Sequence, residues 1–135
     1  MLKVCIDTNI WISGVMFSGS PSVVVDLAFN RKINVISSMI ILEELKKNLI
    51  NKFDFSPKKV AKLINRILQI TDLYEPNGTI KIIPNNHTDN LILETAVLGC
   101  AKFLITGDKE HLLPLKSFKY TKIVDPKQFL ELFLK

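Results

Sequence analysis

The residues of this chain best suited to chemistry are acids, and they are widely spaced. Asp7 ends an apolar run over residues 2–6, Glu43 and Glu44 lie inside an apolar stretch that begins near residue 40, Asp89 precedes another, and Asp108 follows the run 103–106 by two residues. At three of these four places no Lys or Arg stands beside the acid; Lys109 next to Asp108 is the exception. Carboxylates brought to one spot repel each other, so either some take up protons or a cation binds between them. Carboxylate oxygens are hard ligands that suit Mg²⁺ or Mn²⁺. No softer site competes: His87 and His111 lack the HExxH spacing, and Cys5 and Cys100 lie far apart in apolar runs. Two such cysteines read as buried thiols of a reducing cytoplasm rather than as a disulfide framework.

Whether the acids meet depends on the elements that carry them. Residues 2–6 and 33–36 read as buried strands. A β-branched stretch at 79–83, bounded by Gly78 and Pro84, reads as a third. Residues 103–106 and 123–124 read as a fourth and a short fifth. After Asp7 a loop is expected, then a helix from Ser20-Pro21 to about residue 30. Further helices are expected after a cap at Ser37 or Ser38, after Ser56-Pro57, after a cap at Thr88, and from Pro126 onward. Strands alternating with helices predict a mostly parallel sheet covered on both faces. Ligands of such sheets bind beyond the carboxyl ends of the strands. On this reading four successive strand ends each deliver an acid to one edge.

Glu43 and Glu44 must be separated. At about 100° per residue, Ile41, Leu42, Leu45 and Leu49 form one apolar stripe, with Glu44 about 115° and Glu43 about 145° from its centre. Glu44 is nearer the buried border by a small margin. Thr8, Asn9 and Thr106 are the other polar groups at the expected edge, each able to orient a carboxylate or simply to serve turn and capping chemistry. Each acid also has a plain reading. Asp7 could cap a helix, Asp89 could serve the dipole of the helix it opens, Asp108 could be a turn residue and Glu44 a solvated helix acid. Four such coincidences at one edge are much less probable than one. Glu94, within the apolar segment 91–97, is a further candidate for the site or a helix-border acid.

The rest of the composition sets the frame. At 135 residues, 47% hydrophobic and 23% charged, with no repeat or linker-like tract, the chain reads as one domain spanning 1–135. No apolar run approaches the length of a membrane helix, and the start does not read as a secretory signal. The net charge of +5 permits a polyanionic partner. Lys46, Lys47, Lys52, Lys58, Lys59, Lys62 and Arg66 fall in two consecutive helices against Asp54 alone. They could track an RNA backbone or form an ordinary solvated face. Among only five glycines there is no GxGxxG and no GxxxxGK[ST], so nucleotide binding of those kinds is excluded. Asn9 and Leu112 stand where a haloacid-dehalogenase-type phosphotransferase needs Asp, and a lone Asp7 fits a phosphoacceptor receiver poorly.

Ile6-Asp7-Thr8-Asn9, Ser38 through Glu44-Leu45, Asp89 through Ala96 before Gly99, and Leu104-Ile105-Thr106-Gly107-Asp108, in that order, resemble the PIN-domain ribonucleases. The likeness is to the small prokaryotic members grouped with the toxins of toxin–antitoxin pairs, and it covers residues 2 to about 113. It implies a three-layer α/β/α sandwich with a mostly parallel sheet of four to five strands, and a Mg²⁺- or Mn²⁺-dependent endoribonuclease. The family's four acids fall on Asp7, Glu44, Asp89 and Asp108, with Asn9 and Thr106 at its polar positions. Asp7 and Asp108 would be the primary ligands. The resemblance also implies RNA as substrate, a cognate antitoxin and a homodimer as partners, and a cytoplasmic location. One departure stands out: relatives often carry extra Asp before the third acid, where this chain has Asn85-Asn86-His87-Thr88. It favours the alternative, a catalytically weak PIN-like module that binds RNA or a protein. The apolar residues of the closing helix, Phe129, Leu130, Leu132, Phe133 and Leu134, fit either the core or a self-association surface.

Overall fold

A computed structural model describes all of residues 1–135. The chain runs β1 (Lys3–Ile6), α1 (Thr8–Met16), α2 (Ser20–Phe29), β2 (Asn34–Ser37), α3 (Met39–Asn51), α4 (Pro57–Ile70), β3 (Thr71–Leu73), α5 (His87–Leu98) and β4 (Phe103–Ile105). A 3₁₀ turn at Leu113–Leu115, β5 (Ser117–Phe118), β6 (Thr121–Val124) and α6 (Pro126–Phe133) complete it. The strands lie in the order β3-β2-β1-β4-β6-β5. All pairings are parallel except the short β5–β6 hairpin. This is the predicted α/β/α architecture, with six strands where four or five were expected.

The order places a topological switch beside β1. From β1 the chain steps outward to β2 and β3, then returns to β4 on the other side of β1. Connections that leave in opposite directions open a crevice at the carboxyl ends of β1 and β4. Cys5 is level with Leu104 and Ile6 with Ile105, and the Asp7 N–H donates to the Ile105 carbonyl at 2.9 Å. Asp7 and Thr106 therefore leave the sheet side by side at its central crevice.

Besides the added edge strand β5, two elements differ from expectation. The stretch after Asp7 is a helix, α1, not a loop. Its β-branched residues and Gly14 disguise it in sequence. Gly14 is needed because a Cβ there would lie 2.3 Å from Val25 Cγ2 and 2.7 Å from the Pro21 carbonyl oxygen, so glycine lets α1 and α2 pack closely. The second difference is the third strand, which is Thr71–Leu73 and not 79–83. The backbone of the latter is satisfied by side chains. Glu94 accepts from the N–H groups of Asn77, Gly78 and Thr79 at 2.7, 3.0 and 3.1 Å, and the Asn90 amide brackets the N–H and carbonyl of Ile83 at 3.0 and 2.9 Å. A segment held this way has no need of a strand neighbour. Asp89 thus reaches the site from the start of α5, after an irregular connection, not from a strand end.

Caps fix where the helices begin. Ser38 and Ser56 accept from Ile41 and Lys59 as expected, whereas α5 is capped by Asn86, which accepts from Asp89 N–H, and not by Thr88. Helix α6 is anchored by Phe129, fully buried between Phe103 and Phe133. Leu132 and Leu134 remain exposed, so that helix serves mainly the core. Cys5 is buried, but Cys100 is exposed, because it turns out of α5 in a left-handed conformation (φ 57°). No single helix is long and apolar enough to cross a membrane.

Candidate active site

Asp7 is the deepest acid of the site, 4% exposed. It is also the N-cap of α1: its Oδ1 accepts from the Thr8 N–H at 2.7 Å. Its Oδ2 accepts from the Thr106 hydroxyl at 2.7 Å, and Thr106 Oγ1 in turn accepts from the Asp108 N–H at 3.1 Å. Thr106 is fully buried and ties the end of β1 to the turn after β4. In that turn Asp108 Oδ1 accepts from the N–H groups of Glu110 and His111 at 3.0 and 3.2 Å. Asp108 Oδ2 is left to face His111 Nδ1, 3.7 Å away, and Asp89 Oδ2 lies at the same 3.7 Å from that nitrogen. The nearest ligand atoms of Asp89, Asp108 and His111 all fall within 4.8 Å of one another.

The electrostatics follow from crowding. Burial is the largest effect on Asp7 and raises its carboxyl to about 6; the bonds from Thr106 and Thr8 oppose this, and the charges of Glu44 and Asp108 add to it. Burial, a shared hydrogen bond with Asp108 and the charges of Asp108 and Asp7 raise Asp89 to about 7. Partial burial also pushes Asp108 upward, but the N–H groups of His111 and Glu110 outweigh it, with Asp89 and His111 assisting, and hold it below the ordinary carboxylate value. His111 is the one basic side chain within 4.0 Å of these carboxylates, and no lysine or arginine pairs with them. Hard oxygen donors converge here with their negative charge unpaired, so the residues present fit a divalent cation.

The remaining predicted residues fall as follows. Glu44 is half-buried and close enough for its charge to be felt at Asp7, whereas Glu43 is exposed. Asn9 is exposed and makes no side-chain hydrogen bond. Thr8 is buried, yet it serves Asp7 through its N–H alone, and its hydroxyl has no partner. Glu94 is 3% exposed and fully occupied by the 77–80 backbone, which gives it a structural role. Lys46, Lys47, Lys52, Lys58, Lys59, Lys62 and Arg66 are all exposed on α3, α4 and their connection. Lys59 lies 4.5 Å over the Phe55 ring and Arg66 4.2 Å over Phe29. His111 was not anticipated. Its one legible signal is the spacing of three residues from Asp108, which a tight turn folds back onto the same spot.

The acids stand at the switch point of a parallel sheet, the place where ligands of such sheets bind. The family comparison is more specific. The model described as "PIN domain" matches residues 3–110, and the chain belongs to that family. Solved structures with the same fold include VapBC2 from Rickettsia felis bound to a DNA fragment from its promoter (17% identity, TM-score 0.61, covering 90% of this chain and 97% of that one). Others are VapBC-1 from nontypeable Haemophilus influenzae (19%, 0.63, 93% and 99%) and FitAcB from Neisseria gonorrhoeae (14%, 0.60, 92% and 98%). No curated protein matches the sequence.

Proposed function

We propose that this protein is a divalent-metal-dependent endoribonuclease, the toxin of a toxin–antitoxin pair. The observation that carries the reading is the convergence of Asp7, Asp89 and Asp108, with Glu44 beside them, at a sheet end that offers no lysine or arginine to pair with them. A Mg²⁺ or Mn²⁺ ion bound there supplies a Lewis acid that acidifies water and offsets charge on a phosphodiester. Asp7 and Asp108 would hold it directly, with Asp89 and Glu44 completing the set. Thr106 ties the first of these to the turn that carries the second, because its hydroxyl donates to the Asp7 carboxylate and accepts from the Asp108 backbone N–H. The product expected of such hydrolysis carries a 5′-phosphate and leaves a 3′-hydroxyl.

The exposed basic residues of α3 and α4, with Lys46, Lys47, Lys58, Lys59 and Lys62 foremost, supply a track for the RNA backbone. A cognate antitoxin is the expected partner, a reading supported by the likeness of this chain to one chain of each VapBC structure over nearly that chain's whole length. Self-association through exposed Leu132 and Leu134 and a cytoplasmic location belong to the same reading. The test is cleavage of labelled RNA by purified protein with MgCl₂ or MnCl₂. Asp7→Asn and chelation by EDTA should each abolish cleavage. Full activity in either condition overturns the assignment.

A second reading has one observation in its favour. Where relatives often carry acids, Asn86 caps α5, and Asn90 just after Asp89 pins Ile83, so this edge is committed to structure. A PIN-like module that binds RNA without cutting it would retain RNA binding with no metal-dependent cleavage in the same assay.

A further inference from the structure

The imidazole of His111 makes no hydrogen bond that serves the fold. The side chain is 41% exposed, and neither ring nitrogen makes a hydrogen bond within the chain. Yet its Nδ1 is equidistant, at 3.7 Å, from Asp89 Oδ2 and Asp108 Oδ2. That separation is too long for a hydrogen bond. It suits two atoms that share a cation: ligands about 2.1–2.2 Å from one ion stand about 3.0 Å apart at a right angle and about 4.3 Å apart when opposed. The backbone reinforces the arrangement. The N–H groups of Glu110 and His111 occupy Asp108 Oδ1, which turns Oδ2 toward the imidazole, and the same bond places the His111 backbone.

We propose that His111 is a further, nitrogen ligand of the cation assigned above to the acid cluster, on the side of Asp89 and Asp108, and that it biases the site toward Mn²⁺ over Mg²⁺. The proposal rests on the cation-dependent reading of these acids given above and adds a ligand and a metal preference to it. Mg²⁺ demands oxygen donors and dehydrates reluctantly, whereas imidazole is a good ligand for transition metals. An imidazole added to the carboxylates therefore makes a mixed donor set that discriminates between the two ions.

The experiment uses the full chain, stripped of metal, with MnCl₂ and MgCl₂ as probes. Calorimetry is expected to show Mn²⁺ binding at least tenfold more tightly than Mg²⁺. Pulsed electron paramagnetic resonance of the Mn²⁺ complex should show directly coordinated ¹⁴N. His111→Gln should lose the ¹⁴N signal and most of the Mn²⁺ advantage, while Mg²⁺ affinity changes less than threefold. Absence of ¹⁴N coupling in the wild-type Mn²⁺ complex overturns the role of His111, and needs no variant to fold. The two levels separate cleanly. If Asp108→Asn abolishes Mn²⁺ binding and His111→Gln leaves it unchanged, only the histidine proposal fails. If the wild-type protein binds neither ion, the cation-dependent reading fails with it.

Discussion

Asp7 carries two roles whose demands conflict. As N-cap it accepts from Thr8, and as a site acid it is buried beside Glu44 and Asp108. A burial that raises its carboxyl to about 6 penalises the charged form. An unfolded Asp titrates near 3.9, so between that value and about 6 the folded state binds more protons than the unfolded one. Stability must then fall as pH rises through that window, and Asp89, raised to about 7, acts in the same direction. In EDTA the melting temperature is expected to be higher at pH 5 than at pH 7.5. Asp7→Asn should flatten that difference and gain roughly 1–2 kcal/mol at pH 7.5, since it removes a buried unpaired charge. A wild-type protein that melts at the same or higher temperature at pH 7.5 would contradict this account. Thr106→Val keeps the shape but removes the hydroxyl that links Asp7 to the Asp108 N–H. About 1–3 kcal/mol of stability should be lost on denaturant titration, and cleavage should fall about tenfold or more through misplacement of both acids.

Among the elements, α5 and the irregular chain before it act as one unit. Glu94 on α5 accepts three backbone N–H groups of the 77–79 stretch at 3.1 Å or less, and Asn90 clamps Ile83. Glu94→Ala would leave those donors unsatisfied, with an expected cost of about 2–4 kcal/mol, and limited proteolysis should cut first between residues 74 and 86. Its Mn²⁺ affinity should change far less than that of Asp108→Asn, because Glu94 is spent on the backbone. The α3–α4 pair makes a different prediction. Exposed lysines that neutralise several phosphates release counterions, so log affinity for single-stranded RNA should fall with log salt at a slope of about −0.7 per contact. Paired Lys58→Gln and Lys59→Gln exchanges should make the slope shallower by about 1.4, and a flat slope in the wild type would remove these helices from the RNA path.

On the scale of the whole molecule, strand order decides where the charge collects. The chain departs from β1 in one direction and comes back to β4 on the other side, so the two strand ends that bear Asp7 and Thr106 become neighbours across a gap of 99 positions. Repulsion between the gathered acids is built into the fold, and on the proposed function a cation would relieve it. Saturation with Mn²⁺ should therefore stabilise the protein by mass action, about 2.7 kcal/mol at a hundredfold excess over Kd. The gain should disappear in Asp108→Asn. A melting temperature indifferent to Mn²⁺ would show that no binding site exists.

How far the sequence could be read follows from the range of the forces involved. Apolar runs, caps and Pro or Gly boundaries are local signals, and they sufficed for β1, β2, β4, α2, α3, α4 and α6 and for the parallel α/β class. The placing of Asp7 and Asp108 at strand ends was legible for the same reason. Local signals misled at 79–83, whose β-branched residues look like a strand until Glu94 and Asn90 take its hydrogen bonds, and at α1, where Gly14 looks like a loop until Val25 packs against it. They were silent on His111, because only the turn after β4 brings it beside Asp89. By itself, then, the sequence determined which residues could be acids of a site and which segments could be sheet or helix, since those depend on neighbours along the chain. Tertiary structure alone decided which polar groups bind the backbone and which are left to bind something else, because a hydrogen-bond partner or an uncompensated charge is a property of neighbours in space.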